Sequence, residues 1–480
     1  MKQTYRVSIG LEIHVQLKTR TKLFCGCATS FGVPPNTCVC PVCLGYPGAM
    51  PVMNREAVRL TLVSGLMLGC SINTYSTFDR KSYFYPDMPK NYQITQYDKP
   101  LCLDGIIDIP MTDGGRKPIR LIRIHLEEDV AKSMHEASWS GVDFNRAGTP
   151  LMEIVTHPDL TSADEAAAFL TALRHILLYI GVSACNLEEG NMRCDVNVSL
   201  RPPGQDALGT KVELKNMNTI SGAHDALQYE IARQSEVLDA GGRIVQETRR
   251  WDVDSGVTIH MRSKEDAHDY RYFAEPDLLP IVTPPDQIDA LRRSLPELPA
   301  VRRERLARQY GIPDYDASVL AADRALADFF EAVAQRCGTG KTASNWIMTD
   351  VLRLVAAHET PVTACALTPE ALVELIGMVE ARTINALTAK ELLEEAFLSG
   401  GSPTEQVRAR GLAQVSDSGA LDGWVDAVVQ ANPKSVADWK AGKQTAAGFL
   451  IGQVMKLSKG KADPKVVGRL VGERLAQQNG

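Results

Sequence analysis

No apolar run in the 480 residues is long enough to cross a bilayer, and residues 1–30 lack the apolar stretch of a secretory leader. Both absences point to a cytoplasmic protein. The 11 cysteines are an odd count and a modest fraction of the chain, which fits reduced thiols better than a disulfide framework. Two catalytic signatures are missing as well. Gly338-Thr-Gly-Lys-Thr342 ends like a P-loop, but Gln335 stands where the first glycine belongs and the preceding segment is helical, so it reads as a helix C-cap. Ser399 and Ser402 lie in a Gly-rich stretch without a nearby histidine, which gives no support to an amidase-type nucleophile. There is no internal repeat.

What is present is an ordinary globular composition, 44% hydrophobic and 23% charged, in a chain too long for one core. Charge is uneven. The net value is −6, yet Lys434 to Gly480 holds nine Lys or Arg against three Asp or Glu, which leaves the remainder at about −12 and marks a separate basic tail.

The strongest local signal is Tyr5–Leu17. Tyr5, Val7, Ile9, Leu11, Ile13, Val15 and Leu17 alternate with Arg6, Ser8, Gly10, Glu12, His14 and Gln16. A strand of strict period two buries the first set and projects the second from its other face, so Glu12 and His14 stand side by side. Such a pair can share a hard cation or orient each other for proton transfer. The same alternation recurs over 194–201, 211–215 and 256–264, so the polar sides form a broad concavity on one antiparallel sheet. Glu153, mid-strand among Leu151, Met152, Ile154 and Val155, is costly to bury unless paired or metal-bound. In Ile124-His-Leu-Glu-Glu-Asp129, parity with Arg123 and His125 favours Glu127 over Glu128, although a bulge or strand end reverses that choice.

Cys25, Cys27, Cys38, Cys40 and Cys43 fall within 19 residues. Two close pairs across a turn-rich loop suit a structural tetrahedral zinc, with Cys25, Cys27, Cys40 and Cys43 as the natural set, although spacing does not settle which four of the five bind. Four sulfurs leave no open position for a zinc hydrolase. Asp79–Asp87, followed by Lys90 and Tyr92, reads equally as a surface loop or as a phosphate-contacting loop with Lys81 and Lys90 as point charges.

Two long helices, opening at Ser162 with a capping-box Glu165 and running from about Ala223 to Ala240, back the sheet. After Pro280 only helical periodicity remains, over 302–310, 317–337, 342–357, 369–382 and 389–398. Ser399-Gly-Gly-Ser-Pro403 reads as a flexible joint before a final helical unit. Lys456, Lys459, Lys461 and Lys465 cluster there around Gly460 and Pro464.

Six motifs in order, I-G-L-E-I-H-V-Q-L, C-P-V-C-L-G-Y-P-G, F-D-R-K-S-Y-F-Y-P-D-M-P-K-N-Y-Q-I, H-L-E-E-D-V-A-K, N-R-A-G-T-P-L-M-E-I-V and E-E-G-N-M-R-C-D-V-N-V-S-L-R-P, closely resemble the GatB family of aminoacyl-tRNA amidotransferase components. The likeness runs essentially end to end. The archaeal GatE relatives start similarly but carry a large inserted domain for which this chain has no room.

The resemblance implies an α+β fold: a large antiparallel-sheet catalytic cradle backed by helices (1–294, with the zinc-binding insertion), an all-α helical domain (295–404) and a small all-α YqeY-like tail (405–480) that binds tRNA. It implies ATP-dependent amidation of mischarged Glu-tRNA(Gln), Asp-tRNA(Asn) or both, within the GatCAB heterotrimer, whose other members are a glutaminase and a small third protein. Carried over by position, it puts magnesium on Glu12, His14, Glu128 and Glu153, places Lys81, Tyr83 and Lys90 near the nucleotide or the ammonia path, and implies structural zinc because this sequence retains the cysteines. A tRNA-binding scaffold without chemistry is the alternative.

Overall fold

The computed structural model describes residues 5–111, 114–135, 138–263, 270–413, 418–458 and 462–477. The chain divides into two compact units, Met1–Leu298 and Pro299–Gly480.

The first unit is organised by a ten-stranded sheet. Its principal strands are β1 (Arg6–Gln16), β2 (Arg116–Glu128), β3 (Pro150–Thr156), β4 (Met192–Arg201), β5 (Val212–Met217), β6 (Glu247–Asp252) and β7 (Val257–Ser263), in the order β7-β6-β5-β4-β1-β3-β2, with Cys102–Leu103 and Ser71–Ile72 continuing the edge. The alternation of β1 forms as read: Ile9, Leu11, Ile13 and Val15 are fully buried while Glu12 and His14 lie on the other side. Burying four such side chains stabilises by roughly 1.5–3 kcal/mol each.

Helices α1 (Ala163–Tyr179) and α2 (Ile220–Asp239) cover that apolar face, with Phe169, Leu170, Leu173, Leu177 and Leu227 in the same core. Ser162 caps α1 through the amide of Glu165 at 3.2 Å, but the Glu165 carboxylate returns to the amide of Thr161 at 2.6 Å, one residue earlier than a capping box requires. Thr219 caps α2, which therefore starts three residues before the expected Ala223.

Two expectations change. The sheet is not wholly antiparallel, because β5 and β6 pair parallel; α2 lies between them in sequence and supplies the long crossover such a pair needs. In β7 the polar side does not join the concavity. Thr258 is buried and donates to Glu230 of α2 at 2.9 Å, while Met261 is exposed. The fully buried Glu230 also takes 2.9 and 2.6 Å bonds from Arg233, so this face serves a buried carboxylate.

The second unit is helical and has two separate cores, one built from Leu306 to Val407 and one from Leu421 to Leu475. The helix expected over 317–337 is two, Asp314–Ala322 and Arg324–Cys337, broken where Asp323 caps the second. The 342–357 stretch contains a π-helical turn, Ile347–Val351. Ser402 is no loose joint: its hydroxyl binds Glu374 at 2.7 Å and caps the helix Pro403–Arg410, whose Val407 belongs to the first helical core. Lys459, Gly460 and Lys461 lie outside the described residues.

Candidate functional site

Register brings chemistry together on the polar face. His14 on β1 stands opposite Glu153 on β3, and Glu153 stands opposite His125 on β2, so three strands contribute one row. Glu127, two positions along β2, shares that face. His14 Nε2 lies 3.4 Å from Glu153 and 3.7 Å from Glu127, and His125 Nε2 lies 3.6 Å from each. Two imidazoles thus alternate with two carboxylates, and His125 and Glu127 are each only 3% exposed.

Burial alone opposes charge on His14, Glu127 and Glu153, but the pairing prevails. Burial lowers the His14 pKa, yet the hydrogen bond and charge of Glu153, with the charge of Glu127, outweigh it and leave the imidazole above its ordinary value. Burial likewise pushes Glu153 up, and the charges of His125, His14 and Lys81 hold it well below the carboxylate range. Nδ1 of His125 is buried and has no hydrogen-bond partner.

A second acidic group adjoins the first. Oxygens of Glu12, Asp195 and Glu213 lie within 4.8 Å of one another, as do ligand atoms of His14, Glu127 and Glu153. Glu12 faces Asp195 across β1 and β4 and accepts a 3.1 Å bond from Asn197. Burial, then the charges of Glu153, Asp195 and Glu213, push the Glu12 pKa up. Lys215 pairs with Asp195 and stands 3.5 Å from Glu213, which partly offsets this crowding. Carboxylates with one imidazole suit magnesium or a similar hard cation. Beside Glu12 lies an open trough of about 450 Å³, lined among others by Gly10, Asn197, Ser199, Leu208 and Lys211.

Glu128 departs from the expected set. Its carboxylate pairs with Lys90 and accepts the amide of Ile94 at 2.9 Å, and together with Lys90 it lines a cavity of about 80 Å³ against Cys25 and Cys43. The parity of β2 puts Glu127, not Glu128, beside His14 and Glu153. Lys81 sits within influence of Glu127 and Glu153, its ammonium 4.8 Å from the centre of the Tyr270 ring. Burial disfavours its charge, but those carboxylates more than compensate and its pKa rises. Tyr83 neighbours Tyr85 instead, the ring centres 6.1 Å apart. The Asp79–Lys90 stretch is therefore split, with Lys81 turned to the acidic row and Lys90 to Glu128.

The sulfurs of Cys25, Cys27, Cys40 and Cys43 lie within 4.8 Å of one another, and Cys38 is not in the group. Its amide instead bonds Asn145 at 2.8 Å. Tetrahedral zinc at about 2.3 Å from each sulfur needs them about 3.8 Å apart, which this cluster fits with small adjustment. A hydrogen bond from Cys25, then the Cys40 amide and the charge of Lys22, hold the Cys43 thiol down at about 4, so a thiolate is prepared within the group.

Comparison with known sequences finds relatives along the chain. The GatB/GatE catalytic domain matches residues 7–289 and a second GatB domain, of YqeY type, matches 328–475, which reaches into both helical cores. The chain belongs to the GatB/GatE family. Proteins named as the B subunit of aspartyl/glutamyl-tRNA(Asn/Gln) amidotransferase are 48% identical in Carboxydothermus hydrogenoformans, over 98% of this chain and 99% of the relative, and 49% identical in Myxococcus xanthus, over 97% and 98%. The α+β cradle and helical C-terminal region are those of the GatB/GatE family, and none of the described helices is long and apolar enough to cross a membrane.

Against this GatB/GatE frame, the residues that sequence reasoning left out of the site are His125, Asp195, Glu213 and Lys215. Each had a signal. All four sit on the polar parity of their strands, as Glu12 and His14 do, but strand order decides which of those polar residues meet, and only pairing in space reveals it.

Proposed function

We propose that this chain is the transamidating component that converts the side-chain carboxylate of Glu-tRNA(Gln), Asp-tRNA(Asn) or both to the amide. ATP phosphorylates that carboxylate, and ammonia displaces phosphate from the acyl phosphate. A carboxylate resists ammonia because oxide is a very poor leaving group, whereas phosphate leaves readily. The observation that carries the reading is the pair of adjoining groups, His14/Glu127/Glu153 and Glu12/Asp195/Glu213, on one sheet face beside an open trough. Phosphoryl transfer asks mainly for positioning and charge neutralisation, and magnesium bound there supplies the latter.

The chain's own groups divide the work. His14, Glu127 and Glu153 hold the cation, with Glu12 next to them, and His125 orients both carboxylates of the row. In this assignment Glu127 replaces Glu128. Lys81 offers a cation to phosphate or carboxylate oxygens at the edge of the row, and the trough beside Glu12 receives the nucleotide. The Lys90–Glu128 pair and Tyr83 border the route by which ammonia enters. A silent tRNA scaffold would have no use for two imidazoles set between buried carboxylates.

No nucleophile for releasing ammonia stands out in the sequence, so a glutaminase partner, together with a small third protein, completes the GatCAB-type assembly in the cytoplasm. The four cysteines hold structural zinc. The last helical core, with its basic excess, binds tRNA, with Lys456 and Lys465 toward the phosphates. The test is amidation of both mischarged tRNAs by the purified chain with its partners, glutamine and ATP. Amide formation without ATP consumption, or none with either tRNA, defeats the proposal.

A further inference from the structure

Lys22 has no exposed surface and is among the largest side chains so buried in the described residues. A buried ammonium is costly unless an opposite charge compensates it. Among the described residues no carboxylate pairs with it. Its Nζ instead lies 3.5 Å from Cys43 Sγ and donates to the carbonyl of Phe144 at 3.2 Å. The backbone at this point ties the same pieces together: the amide of Lys22 bonds the Cys27 carbonyl at 2.9 Å, and that of Leu23 bonds the Gly148 carbonyl at 2.8 Å. Lys22 thus stands between the cysteine lobe and the segment 144–148 that leads into β3.

A divalent ion held by four thiolates carries a net charge of −2, which is itself expensive in a protein interior. The two costs offset each other in part if the cation faces the anionic centre, one positive charge set against two negative. We infer that Lys22 is the built-in counter-ion of the four-cysteine metal centre: it donates to the Cys43 thiolate and anchors the lobe to the cradle through Phe144. The inference rests on the zinc reading above and adds a positioning residue to it. Groups of this kind, hydrogen-bonded to a metal's ligands, govern how firmly the metal is kept.

The experiment follows zinc release from the full chain to a colorimetric chelator, after metal content has been measured. Lys22→Met should bind zinc but release it about 10- to 100-fold faster than the unaltered protein. In parallel, the unaltered chain is acylated at its lysines with and without zinc, with exposed Lys18 as internal reference, and read by mass spectrometry. Lys22 should be protected only in the zinc-loaded form. This second arm decides the matter if Lys22→Met does not fold. Release at the unaltered rate from folded Lys22→Met, or equal labelling of Lys22 in both forms, overturns the inference while leaving zinc in place. A chain that purifies without zinc overturns the zinc reading and the inference with it.

Discussion

The cysteine lobe and the polar face of the sheet both gather metal-binding side chains, but they are held together in opposite ways. The four thiols come from one 19-residue loop, with little regular structure behind them, so with the zinc proposed above the lobe would depend on its metal for shape. The acidic groups come from five strands, β1 to β5, whose buried faces lock the register, so their geometry exists before any ion arrives. On the proposed reading the first site would be completed by its ion, whereas the second is set by the fold. Removing a ligand should therefore act on structure in the lobe and on activity in the sheet.

The largest effect is expected in the lobe. Cys25→Ser or Cys43→Ser should abolish zinc binding and loosen residues 25–46, read as loss of metal by elemental analysis and as new protease cleavage there. Cys38→Ser should keep a full complement. Zinc retained in Cys43→Ser, or lost in Cys38→Ser, would show that the ligand set is wrong.

On the sheet, His14→Ala, Glu153→Gln and Glu12→Gln should each lower ATP-dependent amidation at least about 100-fold, in keeping with the loss of a preorganised electrostatic group. The thermal midpoint should stay within a few degrees, because the buried side of β1 is untouched. Near-normal amidation in any two of the three sinks the assignment. Glu127→Gln and Glu128→Gln sharpen the contrast further. The first should behave like Glu153→Gln. The second strands Lys90, 9% exposed, without its partner, so it should cost about 3 kcal/mol of stability. Equal kinetic and stability profiles for the two variants would erase the distinction drawn between the sides of β2.

How legible each region was in the sequence follows from the same difference. Cysteine spacing is local, and the four that meet are the four that spacing favours. Period two marked the face on which Glu12, His14 and Glu153 lie, because alternation is also local. Which polar residues become neighbours depends on strand order. Asp195 meets Glu12 because β4, far along the chain, pairs with β1; His125 enters through β2 beside β3, and Glu213 through β5 beside β4. Parity alone named Glu127 correctly as the neighbour of His14; the family correspondence pointed to Glu128. The Ser399–Pro403 stretch misled because glycine and serine mark a helix cap as readily as a linker, and the bond to Glu374 that decides between them lies 28 residues away.

A smaller effect tests the tail. Removing residues from 413 onward should weaken tRNA binding about tenfold and flatten its salt dependence, since fewer counterions are released. Several of the tail's charges are already engaged, Arg469 with Glu473 and Arg474 with Asp422 and Asp426, which limits the expected loss. An unchanged affinity and salt slope would leave the tail without a role in tRNA binding.

The smallest effect concerns an imidazole that resembles His14 in its partners but not in its setting. His224 of α2 lies 3.0 Å from Asp225 and 3.0 Å from Asp164 of α1, on the solvent side of the helices that back the sheet. The hydrogen bond to Asp225, then that to Asp164, raise its pKa. A group raised on folding contributes stability that is complete below its unfolded value of about 6.5 and is lost as pH climbs through the folded value. Both carboxylates are more than half exposed, so solvent screening limits the contribution to about 0.3 kcal/mol. Urea midpoints of the protein and of His224→Gln, taken at pH 6 and pH 9, isolate it: the unaltered chain should lose slightly more stability on going to pH 9. If His224→Gln shows the same or a larger loss, the pairing contributes nothing, and the burial of the carboxylates that face His14 is the feature that sets the two imidazoles apart.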